Sequence, residues 1–169
     1  LDLMGPVVSV NAHARTLREI PVSDDDLLIM LQHESGGISY LVGSLATALP
    51  GPRFTLAGTT GALRINDVDT QEKHLKLGVI PGDGWGVESD ESIIEIWSSD
   101  AAGELTHSTL PSEIGNWPEY YREVLAFLTE SVLPTVTLDQ AVATTRVIDA
   151  ARISVANGEV VRLEPPASH

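Results

Sequence analysis

Apolar and polar residues alternate along the first two thirds of the chain, and this alternation predicts β-strands. In residues 7–15, the apolar side chains of Val8, Val10, Ala12 and Ala14 share one face, and the other face is mostly polar. Strands of this half-polar kind are typical of antiparallel sheets. Similar runs between glycine- or proline-containing turns predict strands over residues 7–15, 27–33, 38–48, 53–57, 62–66, 74–80, 93–97 and 104–110.

Two of these strands, residues 27–33 and 38–48, are apolar on both faces and form a predicted hairpin around Gly36 and Gly37. If helices cover only one face of the sheet, the opposite face leaves apolar side chains in water. We therefore expect that face to be a homo-oligomer interface, unless residues 70–110 fold back over it. The side chains expected there are Leu27, Ile29, Leu31, Leu41 and Leu45, or their alternates along the same strands.

The pattern changes to a helical period after residue 115. Asn116 followed by Glu119 predicts a helix N-terminus with a capping box, and Pro134 is expected to end this helix. Thr137 with Gln140 predicts a second capping box, with the C-terminus of that helix near residue 158.

A closing strand is predicted over residues 160–163. Strands followed by two helices indicate an α+β fold, namely an open, mostly antiparallel β-sheet with two C-terminal α-helices packed on one face. We expect one domain over residues 1–164 and a short tail over residues 165–169.

Composition and charge exclude several classes of partner. Acidic residues outnumber basic ones 24 to 10, for a formal net charge of −14, and such a field repels nucleic acids and anionic membranes. No apolar run approaches the roughly 18 residues of a membrane span, and the absence of Cys excludes disulfides and thiolate metal sites. The chain begins at Leu1 without signal-peptide features, so we expect a processed chain or a piece of a longer, cytoplasmic protein.

A search for sequence motifs of catalysis and metal binding predicts no metal site. Gly82, Gly84 and Gly86 lack the spacing of a dinucleotide fingerprint and are interpreted as a mobile loop. His13 and His33 could be neighbours across a sheet, but two histidines without a third ligand are a weak indication of zinc.

Aromatic residues cluster at the start of the first predicted helix. Trp117, Tyr120, Tyr121 and Phe127 include half of the aromatic residues of the chain. Tyr121 continues the apolar stripe and is expected to pack, whereas Tyr120 and Trp117 lie at its edge. Beside a helix N-terminus, hydroxylated or anionic ligands are favoured, so these two residues are candidates for ligand binding.

Several short segments carry family motifs in a common order along nearly the whole chain. They are Leu3–Val10, Asp26–Leu45, Phe54 with Gly58-Thr59-x-Gly61-x-Leu63, Tyr120-x-x-Glu123-x-x-x-Phe127, and Pro134–Leu163 with Leu138, Asp139, Ala141, Ala151, Ser154, Gly158 and Val161. Together they resemble the glucose–fructose oxidoreductase / inositol dehydrogenase family (Gfo/Idh/MocA). The resemblance implies the C-terminal α+β domain of a two-domain enzyme, whose other domain is a Rossmann domain that binds NAD(P).

The resemblance also implies that catalytic groups lie outside this chain. The dinucleotide fingerprint and the E-K-P segment with the family's catalytic Lys are absent, and the active-site His and its companion Asp would precede Leu1. No catalytic, cofactor-binding or metal-binding residue is therefore predicted here. Tyr120 matches a tyrosine that points at the substrate in related sugar and polyol dehydrogenases.

Arg53 is the third predicted substrate-binding residue, after Tyr120 and Trp117. It belongs to the loop over residues 49–53, which matches a loop that lends a polar side chain to the family's substrate pocket. The loop contains no Tyr, which argues against a polyol substrate. We expect Arg53, Trp117 and Tyr120 to line a concave rim at one end of the sheet.

Two functions of different classes follow. In the first, the chain is the substrate-binding and oligomerisation domain of an oxidoreductase that transfers hydride between NAD or NADP and a sugar-like or polyol substrate. It would be inactive alone and would bind no NAD(P) tightly. The alternative is a non-catalytic β-sheet module for ligand binding or assembly. A strand–G-x-G-x-x-G–helix unit encoded upstream would distinguish the first from the second.

Overall fold

The computed structural model describes residues 1–19, 23–49, 51–66, 69–87 and 93–164. The chain divides into two compact units. The first consists of Leu1–Ala48 and the chain from Val136 onward, and the second of Leu49–Thr135. The predicted tail over residues 165–169, and Pro50 of the loop over residues 49–53, lie outside the described residues.

The described residues form strands and helices in an α+β arrangement. In chain order these are β1 (Val7–Arg15), β2 (Asp26–His33), β3 (Ile38–Ser44), β4 (Phe54–Ala57), β5 (Gly61–Ile65), α1 (Gln71–Lys76), β6 (Ile93–Ser99), β7 (Leu105–Pro111), α2 (Trp117–Glu130), α3 (Leu138–Asn157) and β8 (Val161–Arg162).

The first unit is an antiparallel sheet of order β3-β2-β1-β8 with α3 packed against β1 and β8. Val10 lies opposite Leu31 in the register of β1 and β2, so both side chains point to the same face. With Ala12 they pack against Ala150 and Ala151 of α3, and none of the five is more than 7% exposed. This apolar layer is the core of the unit.

Both ends of α3 form as the sequence predicts. Thr137 accepts a hydrogen bond from the Gln140 backbone N–H while the Gln140 side chain accepts one from the Thr137 N–H, which completes the capping box. Gly158 ends the helix at φ 68°, a left-handed conformation that glycine adopts at little cost.

Ser154 joins α3 to the sheet. Its Oγ is fully buried, accepts a hydrogen bond from the Ala12 N–H at 2.9 Å and donates one to the Glu159 carbonyl at 2.6 Å. Strand β8 pairs with β1 only at Ser9 and Val10. The Ser154 hydroxyl therefore takes over the role of a strand partner where β8 has ended.

The second unit contains a separate antiparallel sheet of order β4-β5-β6-β7, together with α1 and α2. Helix α2 has no buried residue. The α+β class and the antiparallel strands are confirmed, but the single open sheet predicted from the sequence is divided into two. Of the two predicted C-terminal helices, α3 packs on a sheet face, and α1 is an additional helix.

The predicted strand over residues 74–80 is wrong, because residues 71–76 form α1. Gln, Glu and Lys are good helix formers, and Glu72 pairs with Lys76 one turn later at 2.7 Å. Gly78, at φ 75°, follows the end of this short helix. Strand β3 also ends earlier than predicted, at Ser44 rather than near residue 48.

The ends of α2 differ from the prediction. Asn116 is the residue before the helix but makes no side-chain capping bond, and its amide instead donates to the Glu119 carboxylate at 3.2 Å. The helix ends at Ser131, in a left-handed conformation, before Pro134 is reached. Proline therefore follows the end of the helix rather than causing it.

Candidate functional site

All three predicted substrate-binding residues lie in the second unit. Trp117 is the first residue of α2 and is 42% exposed. Tyr120, nearly one turn later, is 64% exposed, and its ring packs edge-on against Tyr121 at 5.3 Å. The Tyr120 hydroxyl has no hydrogen-bond partner in the described part of the chain, so it can serve a ligand as donor or acceptor. Arg53 is exposed and directly precedes β4.

Helix α1 is the element that relates Arg53 to Trp117. Hydrogen bonding and charge from Lys76 hold the pKa of Glu72 below its usual range, and the charge of Arg53 lowers it further. The neighbouring residue Gln71 accepts a hydrogen bond from the Trp117 backbone N–H at 2.8 Å. The Trp117 backbone thus contacts α1 directly, whereas Arg53 acts on α1 through its charge alone. The concave rim that would include Tyr120 stays a prediction.

Gln71 is a buried polar residue that no sequence motif indicated. Its Oε1 accepts hydrogen bonds from the Trp85 indole N–H and the Trp117 backbone N–H, both at 2.8 Å. Its Nε2 donates to Oδ1 of Asp69 at 2.9 Å, and the same oxygen accepts the Gln71 backbone N–H at 2.9 Å. Gln71 is 1% exposed. We call these four hydrogen bonds the Gln71 junction; they join α1, residue 85 and the start of α2.

Two glycines give the Gln71 junction its room. A Cβ on Gly115 would lie 2.4 Å from Nε2 of Gln71, and a Cβ on Gly86 would lie 1.9 Å from the Gly115 carbonyl oxygen. Gly86 also has φ 75° and accepts a hydrogen bond from the Gly115 N–H at 3.1 Å. The segment interpreted as a mobile loop therefore holds Trp85 in a defined place.

Glu123 anchors the chain that follows α2. Its carboxylate accepts the Thr135 backbone N–H at 3.0 Å and the Thr135 hydroxyl at 2.6 Å. These two hydrogen bonds hold the pKa of Glu123 below its usual value. Glu123 thus fixes the C-terminal side of α2, as Gln71 fixes its N-terminal side.

One face of the second sheet carries charged and aromatic side chains. Arg64 pairs with Glu95 at 2.7 Å, its guanidinium lies 5.1 Å from the Trp97 ring centre, and Trp97 stacks on His107 at 4.9 Å. A depression of about 440 Å³ is lined by residues 56–58, 60–63 and 96–98. Its lining is largely apolar or backbone, which suits packing contacts better than proton transfer.

The two histidines considered as metal ligands are not neighbours. His13 lies opposite Leu28 in the sheet, whereas His33 lies opposite Val7 at the other end of β1. His33 is buried, and its ring nitrogens contact the Gly5 carbonyl at 2.9 Å and the Ser39 hydroxyl at 2.7 Å. The described residues contain no group of three or more His, Asp or Glu side chains placed to hold a metal ion.

A family profile described as "Oxidoreductase family, C-terminal alpha/beta domain" matches residues 1–163. The chain belongs to the Gfo/Idh/MocA oxidoreductase family. The matched range includes residues of both units, among them the Gln71 junction and the three predicted site residues.

Relatives of this Gfo/Idh/MocA domain include named bacterial proteins. It is 27% identical over 165 residues to scyllo-inositol 2-dehydrogenase (NADP(+)) IolW of Bacillus subtilis strain 168, covering 97% of this chain and 46% of IolW. It is 26% identical over 125 residues to the uncharacterized oxidoreductase YdgJ of Escherichia coli K12, covering 73% of this chain and 35% of YdgJ.

Solved structures share the fold. The Bacillus subtilis protein yvaA matches with a TM-score of 0.88 at 25% identity, over 97% of this chain and 48% of yvaA. An oxidoreductase from Bacillus cereus matches with a TM-score of 0.83 at 21% identity, over 96% of this chain and 48% of that protein. The Gfo/Idh/MocA chain therefore spans about half the length of its relatives or less. Among the described helices, none is long and apolar enough to cross a membrane.

Proposed function

We propose that this chain is the substrate-binding and oligomerisation domain of an NAD(P)-dependent oxidoreductase. The match of residues 1–163 to the family's C-terminal domain is the observation that carries the proposal. The relative IolW is named as an NADP(+)-dependent scyllo-inositol dehydrogenase. A sugar and a cyclic polyol are therefore the two substrate classes to test: the name of IolW favours the polyol, and the loop over residues 49–53, which contains no Tyr, favours the sugar. For the whole enzyme we propose NADP before NAD and a cytoplasmic location.

The roles of the site residues follow from their chemistry. The unpaired Tyr120 hydroxyl would exchange hydrogen bonds with a substrate hydroxyl, and the exposed indole of Trp117 would pack against the C–H face of a sugar ring. Arg53 would donate hydrogen bonds to a substrate oxygen. These groups bind and orient, and none of them is assigned a proton-transfer step.

The nicotinamide cofactor supplies the hydride chemistry, and we assign its binding to a segment outside this chain. The glycines at positions 82, 84 and 86 do not connect a strand to a helix, as a dinucleotide fingerprint does. Within that run, the Trp85 indole is bound to Gln71. Backbone N–H groups arranged to cradle a pyrophosphate are therefore not expected here.

Calorimetric titration tests the division of labour between this chain and the segment outside it. We expect the isolated chain to show no micromolar binding of NADP or NAD. The gene product that includes the upstream sequence is expected to bind NADP and to oxidise inositols or related sugars. Micromolar cofactor binding by the isolated chain would contradict the proposal. An upstream sequence without a nucleotide-binding unit would favour the non-catalytic module instead.

Removing a single hydroxyl tests the substrate role of Tyr120. In the whole enzyme, Tyr120→Phe is expected to raise KM for the sugar or polyol by about tenfold, the scale of one lost hydrogen bond to substrate. Tyr121→Phe, which removes a hydroxyl from the adjacent exposed ring, is the matched control. Equal effects of the two substitutions would remove Tyr120 from the site.

The oligomerisation part of the proposal rests on the first sheet. The buried residues Val10, Ala12 and Leu31 define the face that α3 covers, so the alternate residues of β2 and β3 point the other way. Of the residues expected at the interface, Leu27, Ile29, Leu31 and Leu41 thus lie on the face that α3 covers. The exposed apolar side chains on the opposite face are the alternates Leu28, Ile38, Tyr40 and Val42.

Sedimentation decides whether that face pairs with a second copy. We expect a particle of at least twice the 18.1 kDa chain mass at micromolar concentration. Val42 is 76% exposed on this face, on the edge strand β3, so Val42→Glu should yield a monomer, because an interface cannot desolvate the new carboxylate cheaply. Val136→Glu, at an exposed site outside the sheet, should leave the assembly intact. A monomeric parent chain would refute the interface.

A further inference from the structure

The start of α2 is capped by a residue that is distant in the sequence. The first N–H groups of a helix have no partner within the helix, and the preceding side chain usually supplies one. Asn116 does not, because its amide is turned to Glu119. Gln71, which is 46 residues earlier, instead accepts the N–H of Trp117.

The amide of Gln71 is chemically specific for this place. Its oxygen accepts two N–H groups while its nitrogen donates to a carboxylate oxygen of Asp69. A glutamate would place a second carboxylate against Asp69, and an apolar side chain of similar length would leave the Trp85 and Trp117 donors without a partner in a buried location. Asp69 itself has φ 82°, an uncommon backbone conformation for a residue other than glycine.

We propose that Gln71 is a positioning residue of the substrate site. By fixing the Trp117 N–H, it sets where α2 begins relative to α1, and Tyr120 follows within one turn. Gln71 thereby holds the first turn of α2, with Trp117 and Tyr120, in a constant relation to α1. The functional consequence rests on the proposed substrate role of Tyr120, whereas the positioning itself does not.

Fluorine NMR of 3-fluorotyrosine tests the positioning without any substrate. The chain has three tyrosines, and Tyr120→Phe assigns the resonance. Gln71→Met keeps the length of the side chain but removes its hydrogen bonds, so we expect the Tyr120 resonance to shift or broaden. Gln140→Met is the matched control, because Gln140 Oε1 accepts a backbone N–H at the same 2.8 Å at the start of α3. A folded Gln71→Met chain with an unchanged Tyr120 resonance would overturn the proposal.

Hydrogen exchange of the parent chain keeps the test independent of whether the variant folds. Trp117 and Leu138 are both first residues of their helices. First-turn N–H groups exchange readily unless they are capped, so we expect the Trp117 N–H to exchange at least about tenfold more slowly than that of Leu138. Equal rates would show that Gln71 does not hold the start of α2.

Kinetics of the whole enzyme then test the consequence for substrate binding. Gln71→Met should raise KM for the sugar or polyol about tenfold while leaving KM for the nicotinamide cofactor unchanged, because only the substrate side is displaced. A rise in KM for both substrate and cofactor, together with a lowered melting temperature, would indicate general destabilisation and would contradict a positioning role. If the parent enzyme oxidises no sugar or polyol, the proposed function fails, whereas the fluorine and exchange results still decide the positioning.

Discussion

The two units of the chain bury different kinds of side chain. In the first unit, the core between sheet and helix consists of Val10, Ala12, Leu31, Ala150 and Ala151. Among the described residues of the second unit, only Gln71 and Gly86 are buried. The first unit is therefore held by apolar packing, whose strength does not depend on precise bond angles. The second depends on directional hydrogen bonds at one junction, and it also carries the candidate substrate site.

This difference predicts opposite sensitivities. A core held by packing responds to changes in volume, whereas a hydrogen-bonded junction responds to changes in backbone conformation and donor geometry. All three tryptophans, Trp85, Trp97 and Trp117, lie in the second unit, so their fluorescence reports that unit alone. Hydrogen exchange along β1 reports the first. Four predictions, from the largest expected effect to the smallest, test the contrast.

The largest effect is expected at Gly86. Gly86→Ala adds a left-handed backbone cost to a clash with the Gly115 carbonyl, and we expect a loss of about 4 kcal/mol in the free energy of unfolding of the second unit. Gly84→Ala is the control, because Gly84 has nearly the same φ, 77°, with nothing within 4 Å of the added Cβ. It should cost about 1–2 kcal/mol. Equal losses by tryptophan fluorescence would mean that the close approach is unimportant.

Removing volume should have the next largest effect, in the first unit. Leu31→Ala leaves a cavity against α3, and we expect a loss of about 3 kcal/mol in the free energy of unfolding, measured by hydrogen exchange along β1 at fixed protein concentration. Leu138→Ala makes the same change at a side chain that is exposed on α3 and should cost under about 1 kcal/mol. A comparable loss in both variants would contradict the apolar core.

Ser154 is the polar exception within the first unit. Ser154→Ala leaves the Ala12 N–H buried without a partner, and we expect a loss of about 2 kcal/mol in the free energy of unfolding. Thr145→Ala, whose exposed hydroxyl donates to the Ala141 carbonyl on the same helix, is the matched control and should change stability little. If urea unfolding finds the two variants equally stable, the hydroxyl does not replace a strand partner.

Acid should affect both units through carboxylates whose pKa is lowered in the folded state; one is tested in each unit, and this is the smallest effect. The Leu17 N–H and Arg18 hold the pKa of Asp25 below its ordinary value of 3.8, and Thr135 holds that of Glu123 below 4.5. A lowered folded-state pKa gives stability that is present above the ordinary value and is lost as pH falls through the folded value. Asp25→Asn should therefore flatten the acid dependence of the first unit, and Glu123→Gln that of the second.

The test is the urea unfolding midpoint, measured from neutral pH to pH about 2.5. Hydrogen exchange along β1 reports the first unit, and tryptophan fluorescence reports the second. At neutral pH each variant should be less stable than the parent, and the curves should converge in acid. Parallel curves at all pH values would show that these carboxylates do not contribute through their charge.

Features decided by neighbouring residues could be predicted from the sequence. The capping box of Thr137 and Gln140 and the glycine at position 158 involve groups only a few residues apart, so a short pattern is sufficient. Strand β1 was predicted with its observed bounds because alternation is a local property. The order of predicted strands and helices indicated the α+β class, and the family resemblance implied the same class.

Features that depend on distant partners could not be predicted. The Gln71 junction joins residues 46 positions apart, and its only local signal was a tryptophan between two glycines. Asn116 matched a capping pattern, but a competing acceptor from α1 was invisible in its own neighbourhood. The division into two sheets depends on which strands pair across long separations, and period alone does not specify that.

The Ser154 hydroxyl fixes the register of helix α3 on the first sheet. Helix α3 has 20 residues and so extends about 30 Å, and one hydroxyl near its end is keyed to one amide in the middle of a strand. Sliding the helix by one residue would rotate that hydroxyl by about 100° and disengage it. A displacement at the opposite end of α3, where Gln140 contacts Asp2, should therefore move the whole helix as a unit rather than shift its register on the sheet.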